Sequence, residues 1–159
     1  MITFEIREKP VSAPRPRVTN WGTYYKPEYV HFKQDISRAA KIAMKGKERC
    51  EDELTMVIIC KFAPPETWSK KAKKDAIENR WKKSKPDIDN LTKGIMDGCT
   101  GIVWKDDSQV VALSAFKYYA EENSVTVYVM KNGEIPRPSF VSSEIEKFVE
   151  RIVGGAPNE

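Results

Sequence analysis

The chain has a single histidine among its 159 residues, His31, and this scarcity narrows the chemistry open to it. Hydrolases that use a histidine base or a histidine-rich metal centre need that residue beside other catalytic groups. His31 lies instead within a helical pattern, so we interpret it as a packing or surface residue. Carboxylates are left to bind any metal ion.

Cysteine is also sparse: Cys50, Cys60 and Cys99 are widely spaced and form no CxxC pair. This spacing excludes the usual zinc and thiol-redox motifs. Free cysteines behave as small apolar residues, so we expect reduced and mostly buried thiols.

No stretch approaches the roughly 18 consecutive apolar residues of a membrane span, and the first residues lack the apolar core of a signal peptide. We therefore expect a cytoplasmic protein without membrane association. With 40% hydrophobic and 31% charged residues, the composition is that of an ordinary globular protein. The length fits one domain over residues 1–159.

The net charge of +4 is unevenly distributed. Between Lys70 and Lys85 there are eight basic residues against two acidic ones, whereas residues 121–159 carry four basic and seven acidic ones. This asymmetry favours one electropositive face for a polyanion such as DNA. The alternative is an ordinary solvated, lysine-rich helix.

Apolar periodicity predicts a series of helices and strands that together cover most of the chain. The expected elements are a strand at 2–7, a helix from Glu28 to about Lys47, a strand at Leu54–Phe62, a basic helix at Thr67–Lys83, a helix from Asp87 to about Gly98, strands at Val110–Tyr119 and Ser124–Met130, and a helix at about Ser142–Ile152. Only four residues separate the last two strands, which favours an antiparallel hairpin. The order predicts an α+β fold with helices packed on a single mixed β-sheet.

The segment from Pro10 to Pro27 is predicted to be a basic loop in which Arg15 and Arg17 lie close in sequence to aromatic residues such as Trp21. Such a segment can follow a phosphate backbone or stack on an unpaired base. The alternative is a surface loop held by its own aromatic residues. The other tryptophans, at helix or strand spacing, are more typical of a core.

Acidic residues concentrate between Lys85 and Gln109. Asp87 follows a Lys-Pro pair and is a natural helix N-cap. Asp89, Lys93 and Asp97 are spaced four apart, which places them on one helix face. A second acidic pair, Asp106–Asp107, precedes the next strand.

Clustered carboxylates next to a basic segment suit phosphodiester hydrolysis, because Mg²⁺ takes hard oxygen ligands and a polyanionic substrate needs cations. Lys93 is placed to stabilise charge on the same phosphate or to protonate the leaving oxygen. The hypothesis requires carboxylates from separate segments to meet. The alternative is that Asp87 and Asp89 only cap a helix, and that Asp89 and Lys93 form a surface ion pair worth about 0.3–0.5 kcal/mol.

At these residues the chain resembles the RusA family of Holliday junction resolvases. The shared pattern is a basic residue, then D-x-D-N-L-x-K, an aspartate four residues on, a short hydrophobic segment and D-D-x-Q, carried here by Lys85, Asp87, Asp89, Asn90, Leu91, Lys93, Asp97, Asp106, Asp107 and Gln109. Phage-type members are also similar at residues 14–17 (PRPR), 68–71 (WSKK) and 117–118. The likeness spans roughly Ile2 to Met130, which leaves residues 131–159 as an unmatched C-terminal extension of a RusA-like domain.

The resemblance implies an endonuclease of DNA recombination and repair that nicks the opposed strands of a four-way junction as a homodimer. It implies that Asp87, Asp89 and Asp107 bind Mg²⁺, or Mn²⁺ in its place, and that Lys93 supplies the catalytic ammonium group. Of Asp97 and Asp106, one would cap or orient the neighbouring groups without binding the metal ion itself. The residues expected to contact DNA are Arg15, Arg17, Lys82, Lys83, Lys85 and Asn90.

Two alternatives to junction resolution remain open from the sequence: a nuclease for other branched DNA such as flaps and forks, and a non-catalytic DNA-binding module. The dimer interface is also not determined, although Tyr118, Tyr119, Val127 and Val129 are candidates for a β-surface between protomers. Gly94 and Gly98 depart from the helix-favouring residues expected around Asp97, and they predict a helix shorter or looser than in relatives.

Overall fold

A computed structural model of the chain describes residues 1–15, 17–19 and 22–131, with the backbone alone described at residues 17–19, 22 and 23. The predicted helix at 142–152 and Trp21 lie outside these residues. The elements in chain order are β1 (Ile2–Ile6), β2 (Arg17–Thr19), β3 (Gly22–Tyr24), α1 (Pro27–Met44), β4 (Leu54–Phe62), α2 (Lys70–Asn79), α3 (Ile88–Cys99), a short 3₁₀ turn (Asp107–Gln109), β5 (Val110–Tyr119) and β6 (Ser124–Lys131). Within the described residues, no helix is both long and apolar enough to cross a membrane.

The main sheet has four strands in the order β1-β6-β4-β5. Strand β4 runs parallel to β5 and antiparallel to β6, and β6 runs antiparallel to β1. This mixed sheet, with three helices, confirms the predicted α+β class. A separate antiparallel ribbon pairs β2 with β3, so the segment predicted as a loop contains two short strands that were too brief to show periodicity.

The predicted hairpin between β5 and β6 is wrong, because β4 lies between these two strands. Their connection passes over the end of β4 and is held there by two hydrogen bonds. The amide of Ala120 donates to the carbonyl of Phe62 at 3.0 Å, and the amide of Ala63 donates to Oδ1 of Asn123 at 2.9 Å. The four-residue connection therefore spans a strand instead of making a tight turn.

The core lies between the sheet and the pair α1 and α3. Alternate residues of β4 from Leu54 to Phe62 face this core, as predicted, while Val57 and Ile59 are buried on the opposite face. Val127 and Val129 belong to the helix-covered core and are 0% and 1% exposed. Their proposed contribution to a dimer surface is therefore wrong, since the helices of the same chain already cover them.

Helices α1 and α3 approach closely because two glycines of α3 face α1. A Cβ atom on Gly98 would lie 2.6 Å from the side chain of Ile36, and one on Gly94 would lie 3.1 Å from the ring of Tyr29. The glycines therefore serve helix packing, and α3 continues past Gly98 to Cys99. The expectation of a helix shorter or looser than in relatives stays a prediction.

Helix α2 is shorter than the predicted basic helix. Ser69 caps its N-terminus by accepting a hydrogen bond from the amide of Ala72 at 3.2 Å, as serine commonly does. Helix α2 ends at Asn79, because the φ of 58° at Arg80 leaves the helical region. The next residues add to the edge of β5, where the amide of Lys82 donates to the carbonyl of Lys117 at 3.3 Å. This pairing places the end of the basic segment, at Lys82, beside strand β5.

Candidate active site

An open cleft of about 530 Å³ lies between α3 and the start of β5. Four charged side chains line it: Asp89, Lys93 and Asp97 from α3, and Asp107 from the turn before β5. The remaining lining residues are mostly apolar, namely Ile88, Thr92, Met96, Leu113 and Ala115. The structure thus brings together two of the three predicted ligands, the predicted ammonium group and one supporting aspartate.

The helical spacing accounts for the α3 side of the cleft, since residues four apart share a face. The ion pairs found among the described residues do not include one between Asp89 and Lys93. Asp97 is held from α1, because the hydroxyl of Tyr29 donates to its Oδ2 at 3.1 Å. Burial, and then the charge of Asp97, raises the pKa of the Tyr29 phenol, so this donor stays protonated.

Asp87 occupies the predicted N-cap position of α3, but its side chain makes no capping hydrogen bond. Its backbone carbonyl accepts the first hydrogen bond of the helix, from the amide of Leu91 at 3.1 Å. Capping is therefore not the role of this carboxylate. Asp87 does not line the cleft, so the three predicted ligands do not share one wall.

Across the described part of the chain, no three acidic, histidine or cysteine side chains lie close enough together to hold a metal ion. Three like charges repel one another, and Mg²⁺ commonly uses only one or two protein carboxylates together with water and substrate phosphate. Asp89 and Asp107 can supply those two from opposite sides of the cleft. The donor set, which offers carboxylate oxygens without imidazole or thiolate, fits Mg²⁺ better than a softer metal.

The loop that leads into Asp87 is held by two lysines. Nζ of Lys117, in β5, donates to the carbonyls of Ser84 at 2.8 Å and Pro86 at 2.6 Å. Nζ of Lys82 donates to Oγ of Ser84 at 2.6 Å and to the carbonyl of Lys85. The ammonium group of Lys82 also lies 5.4 Å from the centre of the Tyr119 ring. Burial, more than any other effect, lowers the pKa of this lysine.

Asp106 caps the turn that presents Asp107. Its Oδ1 accepts from the amide of Ser108 at 2.9 Å. Hydrogen bonding from Ser108, first from its side chain and then from its amide, lowers the pKa of the Asp106 carboxyl. Oε1 of Gln109 accepts from the amides of Lys105 and Asp106 at 2.9 and 3.1 Å, which completes a capping box. Nε2 of Gln109 donates to the carbonyl of Cys50 at 2.8 Å and ties the turn to the chain before β4.

Asp107 itself is held by groups that the sequence had not indicated. Nε1 of Trp104 donates to its Oδ1 at 2.9 Å, and the hydroxyl of Thr100 lies within hydrogen-bond distance of the same oxygen. Trp104 is fully buried, as its spacing suggested, but its polar atom points to the predicted metal ligand. Its position three residues before Asp107, with a buried indole that needs an acceptor, is the signal that could have revealed this contact.

The predicted DNA-contacting residues are only partly gathered. The side chains of Arg15, Lys83 and Lys85 are exposed. Lys82 is half-buried, and its ammonium group donates hydrogen bonds to Ser84 and Lys85 of the same chain. Asn90 is half-buried, and its carbonyl accepts from the amide of Ala13 at 2.9 Å. The side chain of Arg17 lies outside the described residues.

Comparison with known proteins identifies the family of this chain. The family model described as endodeoxyribonuclease RusA matches residues 8–130. The chain is 30% identical over 139 residues to the uncharacterized protein YqaN of Bacillus subtilis strain 168, an alignment that covers 80% of this chain and 94% of that protein. It is 41% identical over 51 residues to the crossover junction endodeoxyribonuclease rusA of Lactococcus phage r1t, covering 31% of this chain and 39% of that protein. With its acidic cleft and a family match over most of its length, the chain belongs to the RusA endodeoxyribonuclease family.

Proposed function

We propose that the chain resolves four-way (Holliday) DNA junctions in recombination and repair, as a Mg²⁺-dependent homodimer acting in the cytoplasm. Membership of the RusA endodeoxyribonuclease family supports the nuclease activity, and a partial relative is named as a crossover junction endodeoxyribonuclease. The observation that carries the proposal is the cleft in which Asp89, Asp107 and Lys93 lie together.

Asp89 and Asp107 would hold Mg²⁺ between α3 and the turn, with Asp87 joining them from the α3 N-terminus. When bound, Mg²⁺ supplies a source of hydroxide at neutral pH and neutralises charge that develops on the phosphate. The exposed ammonium group of Lys93 stabilises the same charge or donates a proton to the leaving 3′ oxygen. The Tyr29 hydroxyl keeps Asp97 oriented on the cleft wall. Because Asp89, Lys93 and Asp97 are spaced four apart, Lys93 lies between two carboxylates of its own helix.

Two features support a DNA substrate beside this cleft. Lys83 and Lys85 are exposed on the segment that leads directly into Asp87, and such cations bind phosphates in a sequence-independent way. A four-way junction has approximate two-fold symmetry, which two copies of one chain would match. Paired sites in a dimer would then nick opposed strands.

The proposal is tested by incubating the purified full chain with a four-way junction labelled on each strand in turn, with Mg²⁺ or with EDTA. Symmetric nicks near the branch point that require Mg²⁺ are expected. Matched flap, fork and linear duplex substrates distinguish junction resolution from general branch cutting. Equal cutting of all four substrates would contradict junction selectivity, and cutting in EDTA would contradict the metal requirement.

The contribution of Asp87 needs its own variant because this residue does not line the cleft. Asp87→Asn should abolish cutting while leaving junction binding in EDTA largely unchanged. Asparagine keeps the size of the side chain, and the Asp87 side chain makes no capping hydrogen bond that could be lost, so the fold is not expected to change. Wild-type cutting by this variant would remove Asp87 from the mechanism.

A further inference from the structure

The indole of Trp104 contacts the acidic site although its ring is buried in the core. It is 0% exposed, and Nε1 lies 2.9 Å from Oδ1 of Asp107 and 3.2 Å from Oγ1 of Thr100. A buried indole N–H requires an acceptor, and a neutral carbonyl would satisfy that requirement. Here the acceptor is a carboxylate at the wall of the catalytic cleft.

Thr100 extends this contact to the end of α3. Its hydroxyl lies 3.0 Å from the carbonyl of Met96 and is also within hydrogen-bond distance of Oδ1 of Asp107. One hydroxyl hydrogen serves only one of these acceptors at a time. The indole N–H also has two neighbouring acceptors, but it lies closer to Oδ1 of Asp107, at 2.9 Å, than to Oγ1 of Thr100, at 3.2 Å.

Both contacts go to the same carboxylate oxygen. In the described part of the chain no group donates to Oδ2 of Asp107, whereas Oδ1 has two neighbouring donors. A carboxylate held by one oxygen has its orientation fixed and its second oxygen left for another partner. The capping box of Asp106 and Gln109 fixes the backbone of the same turn, so both the main chain and the side chain of Asp107 are constrained.

We propose that Trp104 is a positioning residue that orients Asp107 through the indole N–H so that Oδ2 can bind Mg²⁺. This inference rests on the proposed metal-dependent function. Groups that hydrogen-bond to a metal ligand typically change metal affinity or activity by about 10- to 100-fold when they are removed. The Trp104→Phe variant keeps an aromatic ring in the core and removes the donor.

The test combines Mg²⁺ titration by calorimetry with ¹H–¹⁵N spectra of the tryptophan indoles in the full chain. The Trp104 signal is identified by its loss in Trp104→Phe. We expect Mg²⁺ to shift this signal more than that of Trp68, whose ring lies against Tyr119 with 5.7 Å between ring centres. We expect Trp104→Phe to weaken Mg²⁺ binding by about 10- to 100-fold, and Trp68→Phe to leave it unchanged.

Thr100→Val provides a second variant that does not alter the core, since Thr100 is exposed. It should weaken Mg²⁺ binding less than Trp104→Phe because the indole remains. The positioning role would be overturned if Trp104→Phe bound Mg²⁺ with wild-type affinity and if Mg²⁺ did not shift the Trp104 indole signal of the wild-type chain. The proposed function would then remain intact. Absence of Mg²⁺ binding by the wild-type chain would instead overturn the metal-dependent function and the inference with it.

Discussion

The ammonium group of Lys117 donates a hydrogen bond to the backbone carbonyl of Pro86 at 2.6 Å. The residue after Pro86 is Asp87, so a lysine in the edge strand β5 holds the backbone that carries a proposed catalytic carboxylate. A second bond from Lys117, to the carbonyl of Ser84, holds the same loop. A lysine beside a nuclease site would ordinarily be assigned to DNA phosphate, whereas two of the three ammonium hydrogens of Lys117 are used within the protein.

Replacing Lys117 by methionine should therefore impair catalysis more than DNA binding. The variant loses two charge-assisted hydrogen bonds, and displacement of a catalytic group by about 1 Å can reduce a rate by up to about 100-fold. We expect the single-turnover cleavage rate to fall about 10- to 100-fold, with junction affinity in EDTA changed much less. Both quantities are measured on the same labelled four-way junction.

Lys83→Met is the matched control for Lys117→Met, because it removes the same charge from an exposed side chain. This control should weaken junction binding and reduce the slope of log affinity against log salt by about 1, with a normal rate once DNA is saturating. If the two variants have the same effects on rate and binding, Lys117 acts only as a surface charge and its positioning role is wrong.

Gly98→Ala should destabilise the protein although alanine is the better helix former. The gain in helix propensity is about 1 kcal/mol, but the added Cβ would lie 2.6 Å from the side chain of Ile36, and overpacking costs about 1–3 kcal/mol. We expect a net loss of up to about 2 kcal/mol in the free energy of unfolding, measured by urea titration.

Gly94→Ala is the comparison for Gly98→Ala, since the nearest atom to its Cβ would be the edge of the Tyr29 ring at 3.1 Å, and the next would be backbone atoms of Ala13 and Val11 at ordinary contact distances of 3.5 and 3.6 Å. This variant should be close to neutral, because the smaller displacement is offset by helix propensity. A higher urea midpoint for Gly98→Ala than for the wild type would show that α1 and α3 can separate at no cost.

The cysteines should differ in their reactivity. Burial raises the pKa of Cys60 from its usual 9.0 to about 12 and also raises that of Cys99, so both remain thiols at pH 8, where the thiolate is the reactive form. Iodoacetamide should modify Cys50, which is partly exposed, well before the other two. Mass spectrometry of the native chain checks this order, and Cys50→Ser should abolish the fast reaction. Fast modification of Cys60 would contradict its burial.

The same two thiols predict weakening of the fold at alkaline pH. In the unfolded chain they ionise near pH 9, whereas in the folded chain they keep their protons to higher pH. Their contribution to stability is therefore complete below about pH 9 and is lost as the pH rises from 9 toward 12. Urea midpoints measured across this range should fall.

The elements with strong periodicity could be predicted from the sequence. The bounds of β4 are those expected, and Asp87 precedes α3 as its N-cap residue. Helix α1 begins one residue earlier than predicted, at Pro27, and ends at Met44 before a left-handed Lys45. In each case the signal is local, since apolar spacing and terminal residues act within one element.

The strand order could not be obtained in the same way. The spacing of β5 and β6 is compatible with a hairpin, and only the burial of both faces of β4 indicates a strand that belongs between two others. Likewise, Asp89 and Lys93 could be placed on one helix face from their spacing. The hydrogen bond from Lys117 to the carbonyl of Pro86 joins residues that are 31 positions apart in the sequence, and no local sequence pattern predicts such a contact.

The adjacent aspartates of the turn give the most direct test of the central claim that the cleft carboxylates are catalytic. Asp107 lines the cleft, whereas Asp106 is exposed and caps the turn. Asp107→Asn and Asp106→Asn make the same change of charge one residue apart, and asparagine preserves the cap at position 106. The measurement is the rate of Mg²⁺-dependent cleavage of a four-way junction by each variant at saturating enzyme. We predict that Asp107→Asn loses cleavage while still binding the junction and that Asp106→Asn remains close to the wild type; cleavage by Asp107→Asn at the wild-type rate would contradict the account.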